Sequence, residues 1–377
     1  MSRPKFSPDE LLPSGKMYPG MDLMGRSIPE TPILSKPIEA RENWKLLFAG
    51  EKPYWIPVWG WFLSDAKQFR PRIHPDNIAN HQVMDGGPPF DFSGYGSVIK
   101  GLNDLEWHWV EGIKGATPLP GKPKILDINK WEEYLQFPNL DDWDWDTLAK
   151  QNVDYLGTDK ANQFGIQCGL WERLMCTMDV AEASISMVDE DQKPGVHRFF
   201  DVYTNWLIDY IGRVKDVCNI DSVVMHEDWA HAQAPFFSNA TAREMLVPYM
   251  QRIVKYVHSR GMFFENHCCG ACELLIPVFI ESGFDIWAGQ AFLNDMGGLA
   301  KQYKDRNFIF VLNAPDIGPE VSDEDMRKAV REWVEEYKDY RVAVSSMRID
   351  GDMTKPYHPN LFNAIYEYSR IAFQDEE

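Results

Sequence analysis

Two hydrophobic periods alternate along the second half of the chain. From about residue 164, short apolar runs of strand length are separated by longer stretches with helical spacing. The runs are FGIQCGL (164–170), DSVVMHED (221–228), GMFFENH (261–267), FDIWAGQ (284–290), NFIFVLN (307–313) and YRVAVSS (340–346). Between them, helices fit residues 196–217, 238–261, 270–282 and 322–339. In 238–261, Met245, Leu246, Met250, Ile253, Val254 and Val257 form one apolar stripe. Thr241 and Glu244 have capping-box spacing, and Arg260-Gly261 gives a glycine stop. Such alternation implies parallel strands covered by helices. WIPVW adds a seventh strand, and the aromatic stretch beyond it has room for an eighth. The pattern therefore predicts an α/β fold, a (β/α)8 TIM barrel. The competing open sheet lacks its usual nucleotide version, because no G-x-G-x-x-G follows any strand.

The first part of the chain reads differently. Residues 1–38 are rich in Pro, Gly and Met and predict an irregular arm, followed by a helix in EARENWKLLFAG. Residues 1–50 are thus arm and first helix, and 51–377 are the barrel. Within it, 64–160 is a long, aromatic-rich insertion or cover, with a hairpin strand at LEWHWVEG and short helices around DDWDWD.

Composition narrows the functional classes. With 377 residues, 44% of them hydrophobic, the chain can bury a large core. Its net charge of −19 disfavours nucleic acid and anionic membranes, which need a basic face. There is no apolar run of membrane-spanning length, and MSRPKFSPDELLPSG has no apolar signal core, so a cytoplasmic protein is expected. In a reducing compartment the six cysteines are expected to bind metal, react or pack rather than form disulfides. Adjacent Cys268 and Cys269 would close a disulfide only with strain.

Chemistry in a barrel gathers at the carboxyl ends of its strands. Here those ends carry His226-Glu227-Asp228, His267-Cys268-Cys269, Asn313 with Asp316 beyond it, and Arg348 with Asp350. Helix caps account for single acids; a shared polar pocket accounts better for two consecutive strands ending in such triplets. Glu227, Asp228 and His226 are the candidate catalytic groups. Glu172, Asn313, Arg348, Trp59 and Trp61 are candidate substrate contacts. His267 and Cys269, two apart on extended chain, can face one point and suit zinc. On spacing alone, packing or a reactive thiol explains them as well. Cys268 faces the other way and reads as packing.

The segment "HEDWAHAQAPFFSNATAREMLVPYMQRIVKYVHSRGMFFENHCCGACELLIPVFIESGFDIWAGQ" resembles the uroporphyrinogen decarboxylase superfamily, and more closely its corrinoid-dependent, O-demethylase-like methyltransferase branch. The similarity rests on Glu227-Asp228, Ser238 to Glu244, Pro248-Tyr249, Gly261 and His267-Cys268-Cys269-Gly270, and covers roughly 165–372. It implies a (β/α)8 barrel with a zinc site in which His267 and Cys269 are two ligands. Thiol-methylating relatives complete the sulfur set with a cysteine near the last strand; no cysteine follows Cys272 here. An oxygen donor would then replace it, with Glu227, Asp228 and Asp350 as candidates and Asp350 preferred, or no zinc is bound. A site poorer in sulfur is a harder Lewis acid, suited to an ether oxygen.

The expected activity is transfer of a methyl group from a methylated small molecule, a methoxylated arene above all, to the corrinoid of a partner protein. A homodimer is also expected. Decarboxylation is the runner-up, although the arginine-rich opening of those enzymes is replaced here by Trp-Gly-Trp-Phe, with Arg70 and Arg72 beyond it. The resemblance is also compatible with a methylcobalamin:thiol or folate methyltransferase, and with a catalytically inactive module that docks a corrinoid protein.

Overall fold

Eight short strands, buried along most of their length, build one parallel sheet: β1 (Val58–Trp59), β2 (Ala66–Phe69), β3 (Ala161–Ile166), β4 (Ser222–His226), β5 (Phe263–His267), β6 (Ile286–Trp287), β7 (Ile309–Asn313) and β8 (Val342–Ser345). Both faces are buried because a barrel strand is covered on its inside by other strands and on its outside by helices. The sheet runs β1-β8-β7-β6-β5-β4-β3-β2, and every ladder in it is parallel. This computed structural model describes residues 3–18, 21–23, 26–28, 30–60, 64–69, 96, 98–100, 102–110, 115–347 and 355–374. Trp61, Arg70, Arg72, Arg348 and Asp350 lie outside the described residues.

The eight strands form a nearly closed (β/α)8 barrel. Its seam lies between β1 and β2, where only residues 60–65 intervene in sequence, too few for a covering helix. Asp65 spans this seam. Its N–H donates to the Val58 carbonyl (2.8 Å), and its carboxylate accepts from the Val58 N–H (3.0 Å), Trp55 Nε1 (2.8 Å) and Lys36 Nζ (2.8 Å). Burial works against the charge, but Lys36 and these donors hold the Asp65 carboxyl below its usual range.

Helix α1 (Ala40–Phe48) closes the amino-terminal end of the barrel. Its Trp44, Leu47 and Phe48 pack with inward residues Ala66, Ala161, Ile286, Ile309, Val311 and Ala343. Phe48 stacks on Phe263 with ring centres 4.3 Å apart. Polar inward positions are thereby left to the middle layer, where Gln163 meets Glu265, and to the other end.

Outside the barrel run α2 (Trp145–Leu156), α3 (Leu170–Met178), α4 (Val180–Ser186), α5 (Lys193–Val217), α6 (Asn239–Met245), α7 (Val247–Ser259), α8 (Ile276–Ser282), α9 (Met296–Gln302), α10 (Asp323–Tyr337) and α11 (Leu361–Phe373). In α5, Phe199, Phe200, Tyr203, Leu207, Tyr210, Ile211 and Val214 recur at helical spacing and are buried. Residues 98–118 include a three-stranded antiparallel sheet in which the expected hairpin strand is Glu106–Val110.

Several boundaries differ from the sequence reading. The single helix expected over 238–261 is two, broken at Leu246, because Pro248 has no N–H to continue the ladder of α6. Its cap is Ser238, whose hydroxyl accepts the Thr241 N–H at 3.1 Å; Thr241 and Glu244 form no capping box, and Glu244 pairs with Lys193 instead. The strand expected at 164–170 is Ala161–Ile166, since Cys168 turns the chain at a φ of +60° and Leu170 opens α3. The arm is more regular than its composition suggests. Pro13–Tyr18 pairs with Thr31–Leu34, and Met21–Leu23 with Arg26–Ile28, both antiparallel.

A buried ion pair fastens this arm to α11. Glu10 accepts from Arg370 Nε (2.9 Å) and Nη2 (2.8 Å) and from the Tyr366 hydroxyl (2.6 Å). Glu10→Ala would strand a fully buried guanidinium, so urea unfolding is expected to show a loss of about 3 kcal/mol. A loss under about 1 kcal/mol would mean the pair is solvated in solution.

His258 makes a pH-dependent link. Its Nε2 bonds Asp285 (2.8 Å), whose carboxylate also accepts the Phe264 N–H (2.7 Å) at the start of β5. That hydrogen bond raises the imidazole above its ordinary value, with burial opposing. The folded value is the higher one, so the stabilisation is complete below the unfolded value of about 6.5 and is lost as pH rises through the folded one. Urea titrations should show His258→Gln costing more stability at pH 5.5 than at pH 8.5; equal costs would contradict the link.

Candidate metal centre

The centre is built by register. In the parallel pair β4–β5, His226 lies beside His267, and their rings sit 4.7 Å apart on the inner face. The ladder runs one residue further, with the Glu227 N–H donating to the His267 carbonyl at 2.9 Å. Alternation then returns Asp228 and Cys269 to the side of the two histidines. The Cys269 N–H donates to Asp228 Oδ1 at 2.7 Å, and His267 Nε2 lies 3.3 Å from Cys269 Sγ. One ligand atom from each of His226, Asp228, His267 and Cys269 falls within 4.8 Å of the others. The four could hold a metal ion, and each is half-buried.

Their supports come from three further elements. Glu172, in the first turn of α3, holds His226 Nδ1 at 2.8 Å through Oε1, so ligation falls to His226 Nε2. A carboxylate behind a ligating imidazole fixes its tautomer and orientation. The turn carrying Cys269 is pinned by Gln290, which accepts the Gly270 N–H (2.8 Å), and by Asn294, which accepts the Cys272 N–H (2.7 Å) and donates to the Gly270 carbonyl (2.9 Å). Gly270 has a φ of +91°, and a Cβ there would lie 2.7 Å from the His231 carbonyl oxygen. Only glycine fits that contact.

Not every expected residue joins the group. Glu227 points away: its Oε1 accepts the Trp171 N–H (2.7 Å) and Oε2 the Glu172 N–H (3.2 Å), at the N-terminus of α3. Gly169 leaves room for it, since a Cβ there would stand 2.5 Å from Oε2. Glu227 thus anchors the helix that carries Glu172. Trp59 lies in the barrel interior, one layer beneath His267, with Nε1 donating to Glu265 at 3.0 Å, and Gln163 donates to the same carboxylate at 2.9 Å. Asn313 ends β7, with Oδ1 buried and lacking a hydrogen-bond partner among the described residues. Cys268 and Cys272 are buried with sulfurs 3.3 Å apart, and the Trp229 N–H donates to Cys268 Sγ at 3.2 Å, so both pack. Sequence reasoning missed Gln290, Asn294 and Gln163, although Gln290 closes the apolar run that marks β6.

The electrostatics are those of a site short of positive charge. Burial, and then the neighbouring Glu172 charge, push Glu227 up to about 8. Burial raises Glu172, and His226 offsets part of the rise. The Cys269 thiol is raised well above its ordinary value by burial, then by Asp228 and Glu172. A cation at the centre would reverse this bias, because metal ligands are held deprotonated.

No family model and no curated protein matches the sequence. Among solved structures, the chain is similar to a methyltransferase from Methanosarcina mazei at 13% identity, over 89% of this chain and 98% of that one, with a TM-score of 0.54. A GH113 β-1,4-mannanase (12% identity, 61% and 78% covered, TM-score 0.30) and a D-psicose 3-epimerase (10%, 60% and 80%, 0.32) are more distant. The first likeness supports the fold, a (β/α)8 barrel.

Purified protein is expected to contain about one divalent metal per chain by elemental analysis. His267→Ala, Cys269→Ala and His226→Ala should each lower its occupancy, and Glu172→Gln should weaken affinity by about 10- to 100-fold. Unchanged metal content in all four would remove the assignment.

Proposed function

We propose that this protein is a methyltransferase that moves a methyl group from a methylated small molecule, a methoxylated arene above all, to a corrinoid carried by a partner protein. The observation that carries the reading is the His226–Asp228–His267–Cys269 group at the carboxyl-end mouth of the barrel. The likeness of the whole barrel to a methyltransferase from Methanosarcina mazei agrees with it, as does the His-Cys-Cys-Gly turn on which the sequence resemblance rests.

Zinc is the metal this donor set suits best. Imidazole, thiolate and carboxylate are all zinc ligands, and the 3.3 Å between His267 Nε2 and Cys269 Sγ is close to the ~3.5 Å expected across a tetrahedral zinc. The third cysteine of thiol-methylating relatives is not required, because Asp228 and His226 complete the set. When bound, zinc would supply Lewis acidity toward the ether oxygen, and the corrinoid would accept the methyl group.

The chain's own residues do the rest. Phenoxide and alkoxide are poor leaving groups, so charge arriving on oxygen needs a fixed positive environment. Glu172 fixes His226, and the Asp228 bond to the Cys269 N–H fixes the turn that carries the thiol. Asp228 already accepts that N–H, which makes it the donor best able to yield a position to substrate. Trp59, tied to Glu265, fills the barrel interior beneath the two histidines and so backs the strand ends that carry them.

The test is demethylation of a panel of methoxyarenes with a reduced corrinoid protein. The expected result is stoichiometric phenol formation that falls at least about a hundredfold in His267→Ala and Cys269→Ala. Porphyrinogen consumption without phenol formation would overturn the reading.

A further inference from the structure

A cavity lies at the opposite end of the barrel from the metal centre and shares no residue with it. It occupies about 210 Å³ between the N-terminal arm, the amino ends of β1 to β3 and helix α11. Its wall includes Tyr18, Trp55, Phe362 and Tyr366, and its charged groups are Lys36, Lys160, Asp65 and Asp159.

The polar groups there are unevenly satisfied. Asp65 is saturated by Lys36, Trp55 and the Val58 N–H. Asp159 accepts the Tyr18 hydroxyl at 2.6 Å. The cations are less well served. Lys36 gives one hydrogen bond, to Asp65, and otherwise lies over the rings of Trp55 (4.7 Å) and Tyr366 (5.1 Å). The Lys160 ammonium sits 4.0 Å above the Tyr18 ring and has no hydrogen-bond or ion-pair acceptor among the described residues. An ammonium has three donors, so this cavity presents donors without acceptors.

The surrounding charges set the ligand's charge. Of the charged lining groups, Lys36 is paired with Asp65 and Asp159 takes the Tyr18 hydroxyl, which leaves the Lys160 ammonium as the cation with no acceptor among the described residues. One carboxylate answers that one ammonium, and a dianion would bring a second charge beside Asp65 and Asp159. The volume is below that of sites for drug-sized ligands, and the rings favour a flat or apolar body.

We propose that this cavity binds a small monocarboxylate with an aromatic body, its carboxylate on Lys160 and its ring among Phe362, Tyr366 and Trp55. Such a ligand would bridge the arm to the barrel, since Tyr18 and Lys36 belong to the arm and Lys160 and Phe362 do not.

Calorimetric titration of the full-length protein with benzoate tests this. Benzoate is expected to bind one site per chain, with neutral benzamide and inorganic phosphate each at least about tenfold weaker. Lys160→Gln should weaken benzoate at least about tenfold, and Lys160→Arg should keep it. Asn363→Glu, on the exposed face of α11 at the cavity rim, is compatible with folding and should weaken benzoate by repulsion. His267→Ala should leave this binding unchanged. No benzoate binding, phosphate binding more tightly than benzoate, equal affinity in the Lys160→Gln and Asn363→Glu variants, or loss of binding in His267→Ala would each overturn the proposal.

Discussion

The in-register parallel pairing of β4 and β5 is the constraint from which the candidate centre follows. A main-chain ladder ending in His226 beside His267 puts two imidazoles 4.7 Å apart with no adjustable torsion between the strands. Two residues further on, the Cys269 N–H to Asp228 bond ties the diverging loops together. A slip of one residue in either strand would send that strand's histidine outward, toward the helices, and part the pair. The four donor atoms are thus placed by backbone geometry, and side-chain torsions only complete the approach.

Around that pairing, the protein concentrates acid where it is costly. Glu172, Glu227, Asp228 and Cys269 lie in or behind one partly enclosed site, and burial raises Glu172, Glu227 and Cys269. An acidic cluster of this kind is unfavourable without a cation and favourable with one. Glu227 shows how part of the cost is met, since its carboxylate rests on two main-chain N–H groups at a helix N-terminus. That contact orients α3, α3 carries Glu172, and Glu172 orients His226. The amino-terminal end is built oppositely, with Trp44, Leu47 and Phe48 sealing an apolar floor.

Much of this was legible in the sequence, for identifiable reasons. Buried parallel strands are continuous apolar runs, and their last residues fall at the mouth, so His226, Asp228, His267 and Cys269 stood out. Period-two alternation also carried the signal that Glu227 faces away from its neighbours, a signal that the acidity of the triplet obscured. Gln290 and Asn294 were not legible, because they act on the Gly270 turn from a loop some twenty residues away in sequence. Trp59 read as a substrate contact, since nothing local announced its partner, Glu265, four strands away. The arm's antiparallel pairs were hidden by Gly and Pro, which mark turns but leave pairing partners unspecified.

The central claim is that His226, Asp228, His267 and Cys269 surround one metal ion. The most direct test is a crystal structure of the protein as purified, with anomalous scattering recorded on both sides of the zinc edge. The account predicts a single peak, present above the edge and absent below it, within about 2.0–2.3 Å of the two imidazoles and the Cys269 sulfur. A map with no anomalous peak among these residues, or one whose peak lies on other side chains, would contradict it.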